Sequence, residues 1–339
     1  MRAFDKPAIN IDQQLKTLEE RGLHIQNKEK AKLFLQAVGF FRLSAYMRPY
    51  QISNNPDHSF KPNTTFRQIT RTYEFDRKLR LLVMAAIERI EVSVRSVIGN
   101  YMGPKYDSSH WYCDRTLFKK YYAYYRLLQT IEHKQIKAVQ DYERECKRID
   151  KARDKTPEQK ESLKKKRARE NYARHYPLTY SEPDLMPGWA MLEELTLGEL
   201  SHLYAGLAKD GDKKEIAKAL GLTMPLLESW LKTLTSVRNI CAHHSRLWNR
   251  ELGMKPELPK SSEVKWPTYF RQPKEHMRTA VVVSIIHHFM MHISPHDGWF
   301  EQVFDLLEQY SEIDQKMMGF PENWKNDPFW AMDTNLNKD

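Results

Sequence analysis

The stretch LRLLVMAAIERIEVSVRSVIGNY, residues 79–101, decides the fold class. Its apolar positions fall at 79, 82, 83, 86, 87, 90, 94, 97, 98 and 101, steps of three and four that keep returning to one face of a helix for about six turns. Arg80, Glu88, Arg89, Glu91 and Arg95 occupy the remaining faces. The spacing predicts a central bundle helix. Glu91 and Arg95 stand four apart, the separation of an intrahelical ion pair worth only about 0.2–0.5 kcal/mol when exposed. Glu88 and Glu91 are spaced as a candidate catalytic carboxylate pair, against which solvated or ion-paired charges are the simpler reading.

Outward from this helix the same period recurs, glycine is scarce at 12 residues, and β-branched alternation is nearly absent. An all-α fold is therefore expected. Residues 11–21 form a short amphipathic segment closed by Gly22, and Asn27 is placed to cap a helix that stops at Gly39. The block GFFRLSAYMRPY, residues 39–50, is expected to be an aromatic core corner with arginine stems lying along it. A polar loop with two prolines spans 51–63, and Pro187-Gly188 breaks the chain before two more apolar helical segments, 189–195 and 195–207. The segment KEIAKALGLTMPLLESWL, residues 214–231, imitates a DNA-binding helix-turn-helix. A recognition helix presents polar residues to base edges, whereas Met224, Leu226, Leu227, Trp230, Leu231 and Leu234 are core material, so DNA reading is not expected.

The 339 residues carry 54 Lys and Arg against 44 Asp and Glu, a formal charge of +10 that suits a polyanionic partner without identifying one. Between residues 134 and 174 there are 15 Lys and Arg against 8 Asp and Glu, so +7 of the +10 lies in this stretch. Thr156-Pro157-Glu158-Gln159 is a helix start of the capping-box kind. Two charged helices, 118–155 and 157–174, are expected to form a hairpin inserted in the bundle. Its second arm carries KKKRAR, with Lys164, Lys165, Lys166, Arg167 and Arg169 as RNA-binding candidates. A plain solvated helix face is the competing reading of the same charges. The expected organisation is a bundle split into 1–118 and 176–300, the insert at 119–175, and a C-terminal helix and tail at 301–339.

Cys113, Cys146 and Cys241 are odd in number and widely spaced, which indicates neither a disulfide framework nor a zinc ribbon but a reducing compartment. The first residues lack a signal-peptide pattern, and no apolar run approaches the roughly 18 residues that a membrane span needs. A cytoplasmic protein without membrane association is expected. Residues 255–273 are proline-rich and expected to loop over the surface, ahead of an apolar helix at 277–293. His288, His292 and His296 have a four-residue spacing that zinc can use, but Pro295 interrupts it, and packed or exposed histidines are expected instead of a metal. Trp324, Phe329 and Trp330 are expected to dock the tail on the body before it frays.

The densest chemistry lies in VRNICAHHSRLWNREL, residues 237–252. Asn239 and His243 share a helical face, and Arg246 and Arg250 are expected to continue that stripe. Arg238 lies five residues before His243, about 140° away around an ideal helix. Uniting the two takes a wrapped arginine side chain, a local distortion of the helix, or a second copy of the motif. An imidazole moves protons near neutrality and a guanidinium grips a phosphate, a pair sufficient for metal-independent RNA cleavage by the ribose 2′-hydroxyl. Partly buried histidines bonded to neighbours, beside solvated arginines, are the alternative.

RNICAH, residues 238–243, fits the R-N-x-x-x-H signature of HEPN ribonucleases, and RNICAHHSRLWNREL resembles the AbiD/AbiF-like group of bacterial abortive-infection (Abi) proteins. FFRLSAYMRPY at 40–50, YEFDRKLRLLVMAAIERIEVSVR at 73–95 and MPGWAMLEELTLGELSHLY at 186–204 resemble further blocks of that family in the same order. The resemblance covers most of residues 34–252. It implies an α-helical HEPN bundle, a toxin-like role in phage defence, RNA as substrate and no cofactor. Members of this group are also similar to the nuclease parts of RNA-guided type VI CRISPR effectors, and some are associated with a small noncoding RNA. By position, Arg238 and His243 are the implied catalytic residues and Asn239 orients the motif, with His244 and Arg246 auxiliary. The looser form of the signature admits His244 as the catalytic imidazole. HEPN sites are built from two facing motifs, and residues 88–100 hold no histidine, so a homodimer is expected to supply the other half. A non-catalytic RNA-binding scaffold keeping the same fold is the other class of function.

Overall fold

Asparagine and threonine side chains set where the first helices begin. In the computed structural model, which describes residues 7–260, 263–270 and 278–330, α1 (Ile11–Glu20) starts on Asn10, whose side chain accepts from the Gln13 amide in a capping box. Asn27 caps α2 (Lys28–Val38), which ends at Gly39 with φ +83°, a conformation glycine adopts without steric penalty. Gly39 also opens α3 (Phe40–Met47). Thr65 and Gln68 form a second capping box at the head of α4 (Phe66–Lys105), whose 40 residues span about 60 Å.

The remaining helices are α5 (Tyr124–Asp150), α6 (Pro157–Arg169), α7 (Tyr172–Thr179), α8 (Gly188–Glu194), α9 (Leu197–Gly206), α10 (Asp210–Lys218), α11 (Met224–Ala242), α12 (Thr279–Ile293) and α13 (Trp299–Gln309). Among the described residues there is no strand beyond three isolated bridges, so the fold is all-α. Helix α4 is the axis: α3, α8 and α10 to α13 all pack on it. Its predicted stripe is its buried face, with Leu79, Val83, Ala86, Ile87, Ile90, Val94 and Ile98 inside and Leu81 and Val92 left exposed. Glu91 pairs with Arg95 as its spacing requires, and Arg95 also donates to the Leu195 carbonyl (2.9 Å). Glu88 stays exposed, so Glu88 and Glu91 present no catalytic pair. Arg80, expected off the apolar stripe, is nevertheless buried, paired with Asp76.

The charged hairpin differs from its predicted bounds at both ends. Helix α5 begins only at Tyr124, because the chain before it is pinned by Lys119 N–H to Gly206 O (2.8 Å) and Ala208 N–H to Leu117 O (2.9 Å). The second arm is two helices rather than one, since the Asn171 side chain takes the Arg174 amide and starts α7 afresh. Thr156 and Gln159 form the capping box expected of them. Tyr124, Leu127, Ile131 and Gln135 are the buried residues of α5, all in its first half, and α6 buries none. The distal part of α5 and all of α6 therefore stand off the core as an arm.

Helix α12 is buried on every side from Thr279 to Met290, mostly apolar but with Thr279, Ser284, His287 and His288 among its buried residues. At 15 residues it is too short to span a bilayer, and no described helix is long and apolar enough to do so. The segment before it does not simply loop over the surface: Val264 and Phe270 are buried, and Trp266 packs against Trp230 with ring centroids 5.1 Å apart. Residues 271–277 lie outside the described residues. Trp324, Phe329 and Trp330 dock as expected, Trp330 stacking on Phe300 at 4.8 Å, and the last residues, 331–339, are likewise outside the description.

Two histidines of α12 set an acid limit on this fold. His288 is buried and its Nε2–H donates to Gly221 O (3.1 Å), while the His292 ring covers Gly221, where any Cβ would come within 2.2 Å of it. Burial lowers both His287 and His288 from 6.5 to about 4. The unfolded chain thus binds more protons than the folded one between those values, and stability present above pH 6.5 drains away as pH falls toward 4. Each imidazole contributes about 1.4 kcal/mol per pH unit in that window. Urea unfolding at pH 7 and pH 5 is expected to show a lower midpoint at pH 5, with His288→Gln roughly halving the slope. Equal midpoints at the two pH values would mean that the imidazoles are charged in the folded core.

Candidate functional site

Helix α11 starts at Thr223, carries Pro225 in its first turn, and buries Leu226, Leu227, Trp230, Leu231, Leu234, Val237 and Cys241 along one face. The residues that imitate a recognition helix are thus core. The helix ends at Ala242, with His243 as its C-cap. His244 follows in the left-handed region, φ +55°. Its amide bonds to Cys241 O (2.9 Å) and the Ser245 amide to Ile240 O (2.9 Å), the paired bonds of a Schellman ending, with histidine where glycine is usual. Holding a non-glycine residue there costs about 1 kcal/mol. Arg42, from α3, donates to the His244 carbonyl at 2.5 Å and braces that turn.

This ending corrects one expectation. Arg246 and Arg250 do not continue the stripe of Asn239 and His243, because the helix is over before they are reached. Asn239 and His243 do share a solvent-exposed face. The His243 amide still bonds to Asn239 O (3.0 Å), so the helix is regular through that position and distorts only afterwards. Arg238, half-buried on the flank of the apolar stripe, therefore remains about 140° around the axis from His243. The distortion at His244 does not unite them.

Beyond His244 the chain is held by a carboxylate. Asp76 is completely buried, and it accepts from the Leu247 amide (3.0 Å), the Trp248 amide (2.7 Å), the Tyr46 hydroxyl (2.5 Å) and the Arg80 guanidinium. Arg80 also donates to the Tyr46 hydroxyl (2.9 Å). Thr279 of α12 donates to the carbonyls of Leu247 and Trp248, both at 2.9 Å. Helices α3, α4 and α12 thus position the end of the motif together. The nearby Cys241 thiol is buried and pushed up to about 12 by desolvation, so it is no nucleophile.

The electrostatics of the site are cationic. Arg246 donates to Ala45 O (2.8 Å), and burial pulls its guanidinium below its ordinary value, Asp76 opposing and the neighbouring charges of Arg250 and Arg48 adding to the effect. Among the described residues, none of Arg42, Arg48, Arg238, Arg246 and Arg250 has a carboxylate within ion-pair distance. The side chains of Arg238, Asn239, His243 and His244 make no hydrogen bond to any described residue. Such a group can neutralise a phosphate, polarise it and exchange a proton with it. Composition around the motif pointed to its arginines, but Arg42 and Arg48 come from the block taken as an aromatic corner. Tyr46 does fill that corner, yet Phe41 beside Arg42 is 92% exposed.

The hairpin candidates separate into two kinds. Lys164 is held by Asp150 (2.7 Å) and Arg167 by Glu170 (2.7 Å), whereas Lys165, Lys166 and Arg169 are exposed without an acidic partner among the described residues. The His288 and His292 rings lie 4.5 Å apart, but no group of three or more metal-ligating side chains occurs among the described residues.

The fold is an all-α bundle with an Arg/His-rich segment at the end of a core helix, and the comparison by sequence gives its family. The family model described as Abi-like protein matches residues 33–249, well over half of the chain, and ends within the motif segment. The chain belongs to the Abi-like protein family. No curated protein and no solved structure matches it.

Proposed function

We propose that this protein is a metal-independent endoribonuclease of the HEPN type, from the AbiD/AbiF-like branch of its family, acting as a toxin in abortive infection against phage. The observation that carries this reading is the end of α11, where the side chains of Arg238, Asn239 and His243 make no hydrogen bond to any described residue and the neighbouring arginines have no carboxylate within ion-pair distance among the described residues. His243 takes the proton of a ribose 2′-hydroxyl, and the freed oxygen attacks the adjacent phosphorus. The bond to the 5′ oxygen breaks, leaving a 2′,3′-cyclic phosphate on one product and, after protonation, a 5′-hydroxyl on the other. Arg238 neutralises charge on the phosphorane, and Asn239 orients the motif beside His243. The 140° between Arg238 and His243 favours a homodimer in which one protomer's arginine faces the partner's histidine. The exposed His244 imidazole, outside the tighter signature, is the auxiliary group together with Arg246. A small noncoding RNA on the cationic arm is the proposed regulator.

The test is incubation of the purified protein with a generic RNA in EDTA. Cleavage with 2′,3′-cyclic phosphate ends is expected. Binding without cleavage across varied RNAs would replace this reading with that of a non-catalytic RNA-binding scaffold, and loss of activity in EDTA would point to a metal hydrolase.

The arm has its own test. Reversing charge at Lys165, Lys166 and Arg169 is expected to weaken RNA binding and to lower the slope of log K against log salt by about 0.7–0.9 for each phosphate contact removed. Reversal at Lys164 and Arg167, already paired with Asp150 and Glu170, is expected to do less. Unchanged affinity in the first variant would assign the run to solubility.

A further inference from the structure

At the foot of the arm, the turn before α5 is built rigidly and yet presents aromatic rings to solvent. Arg115 donates to the carbonyls of Phe118 (2.8 Å), Lys119 (3.1 Å) and Lys120 (2.9 Å), tying the turn from inside. Phe118 and Tyr122 stack at 5.2 Å, and the Tyr122 ring lies so close over Gly206 that a Cβ there would come within 2.3 Å. The bridge between Phe118 and Leu207 completes the anchor. From this fixed turn Tyr121 stands 93% exposed, and one turn on, at the head of α5, Tyr125 is 74% exposed.

Apolar rings in water on a mobile loop would need no explanation, but a turn held by three hydrogen bonds and a stacked pair has already lost its conformational freedom. The backbone that carries the rings therefore needs no further ordering on binding, which leaves only the side-chain torsions of the two tyrosines to be fixed. The charge around them selects the ligand. Residues 115–131 contain Arg115, Lys119, Lys120 and Arg126 and no aspartate or glutamate. The Lys120 ammonium lies 5.9 Å from the Tyr121 ring. Beside the Tyr121 ring is a hollow of about 430 Å³ lined by Tyr121, Tyr122, Arg126, Leu195, Glu199 and His202. Glu199, the acid on its wall, is already neutralised by Lys134 (3.1 Å). A ligand with flat apolar faces and a regular negative charge fits this surface, and unpaired nucleotides have both.

We propose that the turn at residues 118–126 is a binding site for single-stranded RNA, with Tyr121 and Tyr125 stacking on unpaired bases and Lys120 and Arg126 holding the backbone. The choice of RNA over DNA rests on the ribonuclease reading above; the stacking does not. The site lies along α5 from the cations of the arm, some 25 Å away at 1.5 Å per residue between Tyr125 and Tyr142, whose hydroxyl meets the Lys164 carbonyl. A strand crossing both would be read at one end by charge and at the other by its bases.

The experiment is fluorescence anisotropy of a labelled short oligouridylate, with a blunt RNA duplex as comparison, on full-length protein carrying His243→Ala so that no strand is cut. Tyr121→Ala with Tyr125→Ala is expected to weaken single-strand binding by about ten-fold or more. Tyr121→Phe with Tyr125→Phe is expected to keep the affinity of the parent, and duplex binding is expected to be equal in all three proteins. Unchanged oligouridylate affinity in the alanine variant overturns the proposal and leaves the exposed rings to a protein partner. Equal losses in the phenylalanine and alanine variants overturn it as well, since stacking does not need the hydroxyls. Both rings are solvent-exposed, and circular dichroism checks that the variants fold. Binding is read without cleavage, so a wild type that grips the strand through these rings and never cuts it would sink the ribonuclease reading and leave this site standing.

Discussion

With His243 replaced by alanine, cleavage of RNA in EDTA is expected to fall by about 10²–10⁴-fold, the usual worth of a positioned general base. Arg238→Ala is expected to lose about 10²–10³-fold, as for removal of one donor to developing charge. Neither change should disturb folding, because His243 is exposed, Arg238 is half-buried, and neither side chain bonds to any described residue. Mixing the two inactive proteins adds a sharper reading. If one protomer's Arg238 serves the partner's His243, half of randomly paired dimers contain one intact site of two, and about one quarter of wild-type activity returns. No recovery on mixing, with each variant dimeric by light scattering, would exclude a site shared in that way. Activity of His243→Ala within a few-fold of wild type would move the base to His244 or take the cleavage away from this motif.

Asp76→Ala is expected to destabilise the fold by about 3–5 kcal/mol, because it strands the buried Arg80 guanidinium without its counter-charge. It also removes the acceptor for the Leu247 and Trp248 amides and the Tyr46 hydroxyl. Against total stabilities of about 5–15 kcal/mol this is a large fraction, visible as a lower urea midpoint. Tyr46→Phe, which removes one donor and leaves the ion pair, should lose only about 1 kcal/mol. Combining Asp76→Ala with Arg80→Leu should recover part of the loss, since the stranded charge goes with it. A midpoint within experimental error of wild type in the single variant would show that water replaces the carboxylate without penalty.

The helices were legible where side chains dictate them locally. Asn27 and Thr156 cap the helices they were expected to cap, and the stripe from Leu79 to Ile98 is the buried face of α4. What stayed hidden depends on contacts between distant parts of the chain. The helix at 118–155 starts late because Phe118 is pinned by Leu207, a partner nothing in the local pattern names. Arg42 reaches the His244 carbonyl across 202 positions, so the block around it looked like core corner alone. Asp76 left a faint sign. It stands in register with the buried face three residues before Leu79, and an acid in that position has to be paired. Arg80, four residues on, is the only cation spaced to meet it along the helix, but grouping Arg80 with the charges of the remaining faces concealed the pair. The motif itself was visible as composition, whereas the end of α11 at Ala242 was not, because histidine at the left-handed position replaces the glycine that would have signalled a stop.

Helix α5 passes without interruption from the buried bundle into the solvated arm, and this gives the arm the mechanics of a lever. Its fulcrum is where Lys134 meets the Glu194 carbonyl and Glu199, and where Gln135 bonds to the Asp184 carbonyl and the Met186 amide. From Gln135 to Asp150 the helix runs roughly 22 Å with α6 and α7 packed along it, so a tilt of about 5° of this unit at the fulcrum would carry the tip through about 2 Å. At the fulcrum the helix meets the end of α8 and the first turn of α9, and α9 packs directly on the helix that ends in His243.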